Sequence, residues 1–497
     1  MLSNMQARGD KLSTRYAQVA RQAPSRKTLR GQPRFSGAFK MRTTASSIAF
    51  AIPGCIIYFV VHLAFWPAQM SPDSLDQWQQ LMTWRFQDWH PVSSTLLYWL
   101  FYQAVPSPAF AVFVQYVLFA LATGYFLAEL RNWGVALSIL VAGAVLFPLV
   151  PPIFLVATTL WKDVPFATAL IILTALLIRG VRLDFKLAAA DWLAMGAAGV
   201  ALVLFRHNGV IVSVGVFFLL LCTVRAVRLP ASVLVGVQIM ALVLSKTVLL
   251  SALAAWPQSN QERTIVALPM LAAMVRAGVP LTAEQEQTIV AIAPIEAWKS
   301  VPCGSVVPFY FEDPRLSHEQ LDPRKVFAAA ASLAVHNPLI ALKQELCMTE
   351  IFWRPWSRES AELQDVPLEI TQTQIAKELQ LTTESKLPGL ADGLRQFHDR
   401  YFSGRRPLQR PALYLLAGII ATVRLMMIAE RRLWLAWLPA GLNCASLIFL
   451  IQSQEYRLVW PSVAASLLLT IFAIGAEAKH RHGLRILPAP EPDRQFG

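Results

Sequence analysis

Apolar runs of membrane-crossing length recur along this chain, and a chain built that way has few folds open to it. An α-helix needs about 17 to 25 apolar residues to cross a bilayer. Such runs occur near 46–66, 109–130, 134–152, 164–179, 187–205, 209–224, 229–253, 411–429, 433–451 and 456–476, which makes ten crossings. Inside hydrocarbon every backbone polar group must find its partner within the protein, and single apolar segments manage this only as helices. The expected fold is an all-α integral membrane protein with about ten transmembrane helices. Interfacial helices are expected in the first outer loop, together with a mostly helical extracytoplasmic domain. Composition agrees: 55% of the 497 residues are hydrophobic and only 15% are charged, against about 25% charged in soluble domains.

Charge orients the spans. Residues 1–45 carry ten Lys or Arg and one acid, Asp10, within a net charge of +13. A basic tail ahead of a span is a cytoplasmic anchor attracted to anionic membrane lipids, and no nucleic-acid partner is expected. Arg179, Arg182 and Lys186, then Arg225 and Arg228, then Arg431 and Arg432, then Lys479, Arg481 and Arg485 all fall on the side of that tail. Both termini are therefore expected in the cytoplasm of a multi-pass protein of the inner (plasma) membrane. The expected divisions are a basic tail 1–45, a transmembrane module 46–253 with an outer loop 67–108, an extracytoplasmic domain 254–410, C-terminal spans 411–476 and a cytoplasmic tail 477–497.

Two segments strain this count. Residues 92–105 are apolar but number only fourteen, so they are read as lying in or on the membrane. Pro148, Pro151 and Pro152 break the run at 148–161 and could place a turn inside the bilayer. In the outer domain, Thr282 and Gln285 form a capping box ahead of an amphipathic run, and His336-Asn337-Pro338 interrupts the apolar stretch 326–342. Cys303 and Cys347 could pair if this region faces an oxidising compartment. Cys55, Cys222 and Cys444 lie in apolar segments and read as small buried hydrophobes.

The polar residues that hydropathy does not predict fall on the outer side. The first loop supplies Asp73, Asp76, Asp88 and His90, the loop after the fourth span Lys162 and Asp163, a short turn Arg206, His207 and Asn208, and the last outer turn Glu455, Tyr456 and Arg457. Ser71-Pro72 is a good N-cap and first-turn pair, which puts Asp73 where it complements a helix dipole. Asp76 follows three residues on, on the same helical face, and two acids so placed can split their pKa values and leave one as a base. Arg206 at a short outer turn suits a phosphate, while His207 reads as structural. Trp66, Trp78, Trp84, Trp89 and Trp99 suit a sugar, a lipid headgroup or an ordinary interfacial belt.

SPDS at 71–74 and DWHP at 88–91, with LWKDVPF at 160–166 and FRHNG at 205–209, resemble the first-outer-loop acidic motif and His-Pro element of the GT-C superfamily of integral-membrane glycosyltransferases, in a bacterial branch. The likeness covers mainly residues 45–250. Ser74 stands where that motif has a second acid, and Val92 where it has a second proline. The resemblance implies transfer of a sugar from a polyprenyl-phosphate-linked donor to an extracytoplasmic glycan, lipid or protein acceptor. It implies Asp73 as general base, with Asp76 in place of the missing acid, and Lys162, Arg206 and Arg457 holding phosphate. Asp88, His90, Asp163 and Asn208 would complete the substrate site. No cofactor is demanded, although the outer carboxylates permit Mg²⁺ or Mn²⁺ with oxygen ligands. The rival readings are a secondary transporter, which would need a continuous polar path and broken helices, and a ligase or polymerase of lipid-linked glycans.

Overall fold

A computed structural model describes residues 36–257, 259–356, 366–402 and 410–481. Two units, Met1–Arg42 and Thr43–Gly497, divide the chain, and the candidate site lies wholly in the second. The basic tail up to residue 35 and the C-terminal segment from 482, which includes Arg485, lie outside the described residues. Among the described residues there is no strand, only isolated bridges between extended segments.

Among the described residues six helices are long and apolar enough to cross a membrane, or up to eight if each of two bent pairs forms one span. This is a multi-pass membrane protein. The six are α1 (Ser36–Ala64, apolar from Thr44), α4 (Pro108–Asn132), α7 (Asp163–Arg182), the run Arg225–Ala252 that contains α10 (Arg228–Leu244), α15 (Pro411–Ile428) and α17 (Tyr456–Arg481). The other expected crossings are shorter or broken. α8 (Ala189–Phe205) and α9 (Gly209–Thr223) are apolar helices of 17 and 15 residues, and α16 (Trp434–Ile448) also has 15. At ~1.5 Å per residue, 15 residues reach only ~22 Å, short of the ~30 Å hydrocarbon layer. The run 134–152 is α5 (Leu137–Leu146), a 3-10 turn and then α6 (Pro151–Ala157), bent by 64° where the prolines predict a break.

α7 is the axis of this assembly. Asp163 in its first turn and Arg179 and Arg182 in its last complement the helix dipole at both ends, and 83% of its apolar window is buried. It packs against α4, α8, α16 and α17. At its C-terminal end the wholly buried Glu129 of α4 accepts from Arg182 at 2.6 Å, so the one acid deep in α4 has a cation of its own. The opposite extreme is Arg225–Ala252, whose window is only 11% buried and leaves an apolar surface for lipid. Of the free cysteines, Cys55 and Cys444 are half-buried against the core of the spans, whereas Cys222, read as buried, is exposed.

After the first span, α2 (Pro72–Thr83) starts from Ser71, whose hydroxyl accepts from the Ser74 amide, with Pro72 at the first helical position. α3 (Val92–Ala104) has 13 residues, too few to cross. The described residues of 254–410 are mostly helical, and their apolar side chains divide between two cores. Residues from Ile265 to Leu333 enclose a core of their own around Trp298, Leu271 and Val326, whereas Met348, Ile351, Val366, Ile370, Ala376 and Ala391 join the core of the spans. The first part contains α11 (Leu268–Arg276), α12 (Ala283–Ile292), α13 (Pro323–His336) and α14 (Pro338–Met348). Thr282 and Gln285 cap α12 reciprocally, α13 and α14 meet at 112° across Asn337, and Cys303 and Cys347 are disulfide-bonded.

Gly209 makes the turn between α8 and α9 close enough to place Arg206. A Cβ there would run into the Leu202 carbonyl, which belongs to backbone and cannot swing aside. Gly209→Ala is expected to lower stability by about 1–3 kcal/mol, read as an earlier thermal unfolding transition in detergent, while Gly236→Ala, inside a helix where a Cβ meets nothing, should not lower it and can raise it by up to about 1 kcal/mol.

Candidate functional site

Four chain segments converge where α7 begins. The extended residues before α2 lie against those before α7: the Leu160 amide donates to the Gln69 carbonyl at 2.9 Å and the Thr158 hydroxyl to the Gln69 side-chain oxygen at 2.6 Å. Ser74 donates to the Leu160 carbonyl at 2.7 Å and the Trp161 indole donates to the Ser71 hydroxyl at 2.8 Å. These bonds, all buried, fix the first turn of α2 beside Lys162. Gln69, Thr158 and Trp161 thus position the site. Hydropathy treats them as loop residues, and nothing in their local pattern marks them.

Asp73 is the centre of what they position. Its Oδ2 lies 2.5 Å from Arg457 and 3.5 Å from His90 Nε2. Arg457, in the first turn of α17, also donates to Glu455 at 2.5 Å and lies over the Trp161 ring at 5.5 Å. On the other side of the imidazole, Lys162 Nζ lies 2.8 Å from His90 Nδ1. An ammonium can only donate, so Nδ1 accepts and the imidazole proton sits on Nε2, facing Asp73. The order is Lys162, His90, Asp73, Arg457, Glu455. The Asp73 side chain keeps 27% of its exposure while that of His90 keeps 7%, so a solute can reach the carboxylate and, at the other end, the partly exposed Lys162.

The electrostatics follow from burial and these neighbours. Burial alone would raise the Asp73 pKa, but Arg457, His90 and Lys162 outweigh it and hold the carboxyl well below its usual range. Burial pushes Lys162 down to about 8, against the pull of Asp163 and Asp73 and with the help of Arg457 and Arg206. His90 is lowered by burial and by Lys162, so it is neutral at physiological pH.

Arg206 and Asp163 form a second, deeper pair at 2.9 Å, with side chains 6% and 1% exposed. Arg206 also donates to the Leu458 carbonyl at 3.1 Å and covers the Phe166 ring at 5.3 Å. Both arginines are therefore held by carboxylates: Arg206 by Asp163, and Arg457 by Asp73 and Glu455. The remaining candidates sit in networks of their own. Asp76 accepts from Gln80 at 2.7 Å and from Gln87 at 3.0 Å, so the second acid of the helical face joins an amide cluster away from the cations. Asn208 donates to Asn443 and Ser446 at 3.0 and 2.9 Å, tying α9 to α16.

Asp88 pairs with Lys246, which projects from a π-helical turn, Ser245–Leu249, just beyond α10. His207 completes that group, with Nε2 3.2 Å from the carbonyls of Asp88 and Trp89 and Nδ1 3.3 Å from Lys246. Burial and the lysine push His207 down to about 4. The group anchors the strand of chain that presents His90. The signal for Lys246 in the sequence is a lone lysine near the end of an apolar run.

The donor set at Asp73 does not suit a divalent cation. The Arg457 guanidinium already bridges Asp73 and Glu455, and a metal there would face Lys162 as well. Among the described residues no group of three or more His, Cys, Asp or Glu converges as ligands. A Mg²⁺ or Mn²⁺ ion, which the outer carboxylates permit, would have to displace Arg457 to bind this carboxylate.

Removing one member of a buried ion pair strands the other, at a cost of about 3–5 kcal/mol, whereas replacing both by apolar groups of similar volume is often neutral. Asp163→Asn should therefore lower the unfolding temperature sharply, and Asp163→Leu combined with Arg206→Met should restore most of it. A double variant as unstable as the single one would mean that the pair does more than neutralise its own charges. Compared with family models, with curated proteins and with solved structures, the chain matches none.

Proposed function

We propose that this protein is a membrane glycosyltransferase that moves a sugar from a polyprenyl-phosphate-linked donor to an extracytoplasmic acceptor. The reading joins the resemblance of SPDS and DWHP to the GT-C first loop with one observation: a partly open carboxylate, Asp73, lies between a guanidinium and a neutral imidazole backed by an ammonium. The topology that goes with it has ten crossings, α8, α9 and α16 being short ones, with both termini cytoplasmic. The Cys303–Cys347 disulfide supports an oxidising side for the lobe beside the site.

In this mechanism Asp73 accepts the proton of the acceptor hydroxyl, whose oxygen attacks the anomeric carbon while the bond from that carbon to the phosphate oxygen breaks. The polyprenyl phosphate leaves with the bonding pair, and its charge is met by Arg457 and Lys162. The site is charge-balanced, with Asp73, Asp163 and Glu455 against Lys162, Arg206 and Arg457, so a phosphate must compete for its donors. When Arg457 turns toward the phosphate, Asp73 loses the neighbour that most depresses its pKa and becomes a stronger base. Donor binding thus prepares the base. Arg206, held by Asp163 and the Leu458 carbonyl, orients this face of α17, and Lys162 and Arg457 carry the phosphate.

Transport is less well supported. Between Asp163 and Arg179 the polar side chains of α7 are Thr168 and Thr174, and both hydroxyls donate to carbonyls of their own helix at 2.9 and 2.8 Å. The central helix therefore offers no polar path from one end to the other.

The test is binding and turnover in nanodiscs with undecaprenyl phosphate and its glycosylated form. Asp73→Asn should abolish transfer and keep donor binding, while Arg457→Ala and Lys162→Ala should each weaken binding by at least about tenfold, as loss of a charge-assisted contact does. Lys162 loses its proton above about 8, so affinity should fall as pH rises through that value and level off near that of Lys162→Ala. Lys162→Arg should remove this dependence, because a guanidinium stays charged. Equal binding of undecaprenyl phosphate and phosphatidic acid by the wild type, unaffected by these substitutions, would sink the reading.

A further inference from the structure

We infer that the outward face of α14, Pro338–Met348, is a membrane-surface anchor whose partner is the headgroup layer of the bilayer beside the 265–333 lobe. The inference does not rest on the proposed enzyme activity.

One side of α14 is fully committed. Gln344 donates to the Cys303 carbonyl at 2.9 Å and accepts from Arg276 of α11 at 2.9 Å, Cys347 is bonded to Cys303, and Met348 is buried. With that face tied down, Leu339, Leu342 and Leu346 must point away, and they are 73%, 55% and 46% exposed. Their spacing of three and four residues puts them in one stripe. Val335 extends the exposed apolar surface before the stripe, and Trp353 and Trp356 extend it after. Lys343 stands at the edge of the stripe, exposed, where a long cationic side chain can reach phosphate headgroups.

What covers the stripe follows from its depth. The Cys347 carbonyl accepts from Gln454 at 2.7 Å, and the Gln454 amide donates to the Gly304 carbonyl at 3.0 Å. Gln454 lies two residues before Tyr456, where α17 begins. Just beyond α14, Glu350 pairs at 3.4 Å with Arg410, the residue immediately before α15, and both are buried. The C-terminal end of α14 is thus tied to the ends of two membrane-crossing helices. Leucines exposed at that level meet the boundary between headgroups and acyl chains, and tryptophan is a residue type favoured in that layer. A stripe of three leucines on a short helix is also small enough to lie in the interface without crossing.

The test is spin-label accessibility of the full chain in nanodiscs. Cys55, Cys222 and Cys444 are replaced by alanine and the disulfide is left intact. Nitroxides are placed singly at Leu339→Cys and Leu342→Cys. References are Val237→Cys on the lipid-exposed α10 and Glu284→Cys on α12, which has no tie to a span. Labels at 339 and 342 should collide freely with oxygen and lose collisions with a water-soluble nickel chelate, as the label at 237 does. Nickel access equal to that at 284 would place the face in water and overturn the inference. Exclusion of both reagents would place it against protein, such as a second copy of the chain, and would overturn it too. Two independent label sites guard against one variant failing to fold.

Discussion

The contact between Asp73 and Arg457 is the one on which the arrangement of the candidate site depends. Arg457 stands in the first turn of α17, where the positive end of the helix dipole repels a cation. It is tolerable there because Asp73 and Glu455 both lie 2.5 Å away. Asp73 in turn would be an expensive buried carboxylate without it. Each residue makes the other affordable, and together they bind the first outer loop to the last span. The Gln69, Ser71 and Ser74 bonds to 158–161 then bring Lys162 to the same place, and His90 closes the gap between ammonium and carboxylate.

The same economy of charge runs through the molecule. α7 carries a buried pair near each end, Asp163 with Arg206 and Arg182 with Glu129, separated by a stretch whose threonines satisfy themselves on their own helix. Asp88 and Lys246 repeat the device at the rim, where they hold the strand that carries His90. Trp89, on that strand, packs edge-to-face against Phe311 of the lobe, with ring centroids 5.7 Å apart. The lobe is thereby linked at one side to the candidate site and, through Cys303–Cys347 and Gln454, at the other to the start of α17.

Features governed by local interactions were legible in advance. Ser71-Pro72 starts α2, Thr282 and Gln285 cap α12, the prolines at 148–152 bend the third run, and His336-Asn337-Pro338 separates two helices, because capping and proline sterics act over a few residues. Length was less well served: hydropathy counted ten runs, but among the described residues six helices, or up to eight with the bent pairs, meet the length and apolarity of a span, since apolarity along the sequence does not show where backbone hydrogen bonding stops. The stretch 254–410 read as one domain, yet its second part buries Val366, Ile370 and Ala376 in the core of the spans. Composition alone does not say against which surface an apolar residue packs.

From the sequence alone came the membrane class, the helical content, the break points and a list of polar residues too costly to keep without partners. Which of them meet was decided by tertiary structure. Asp73 and Asp76 share a helical face, but one is drawn to Arg457 and His90 while the other turns to Gln80 and Gln87. Arg206, read as a phosphate ligand, is taken by Asp163. The reason is physical: a carboxylate's burial cost depends on which cation lies within a few ångströms, and that distance is set by helices hundreds of residues apart in the chain.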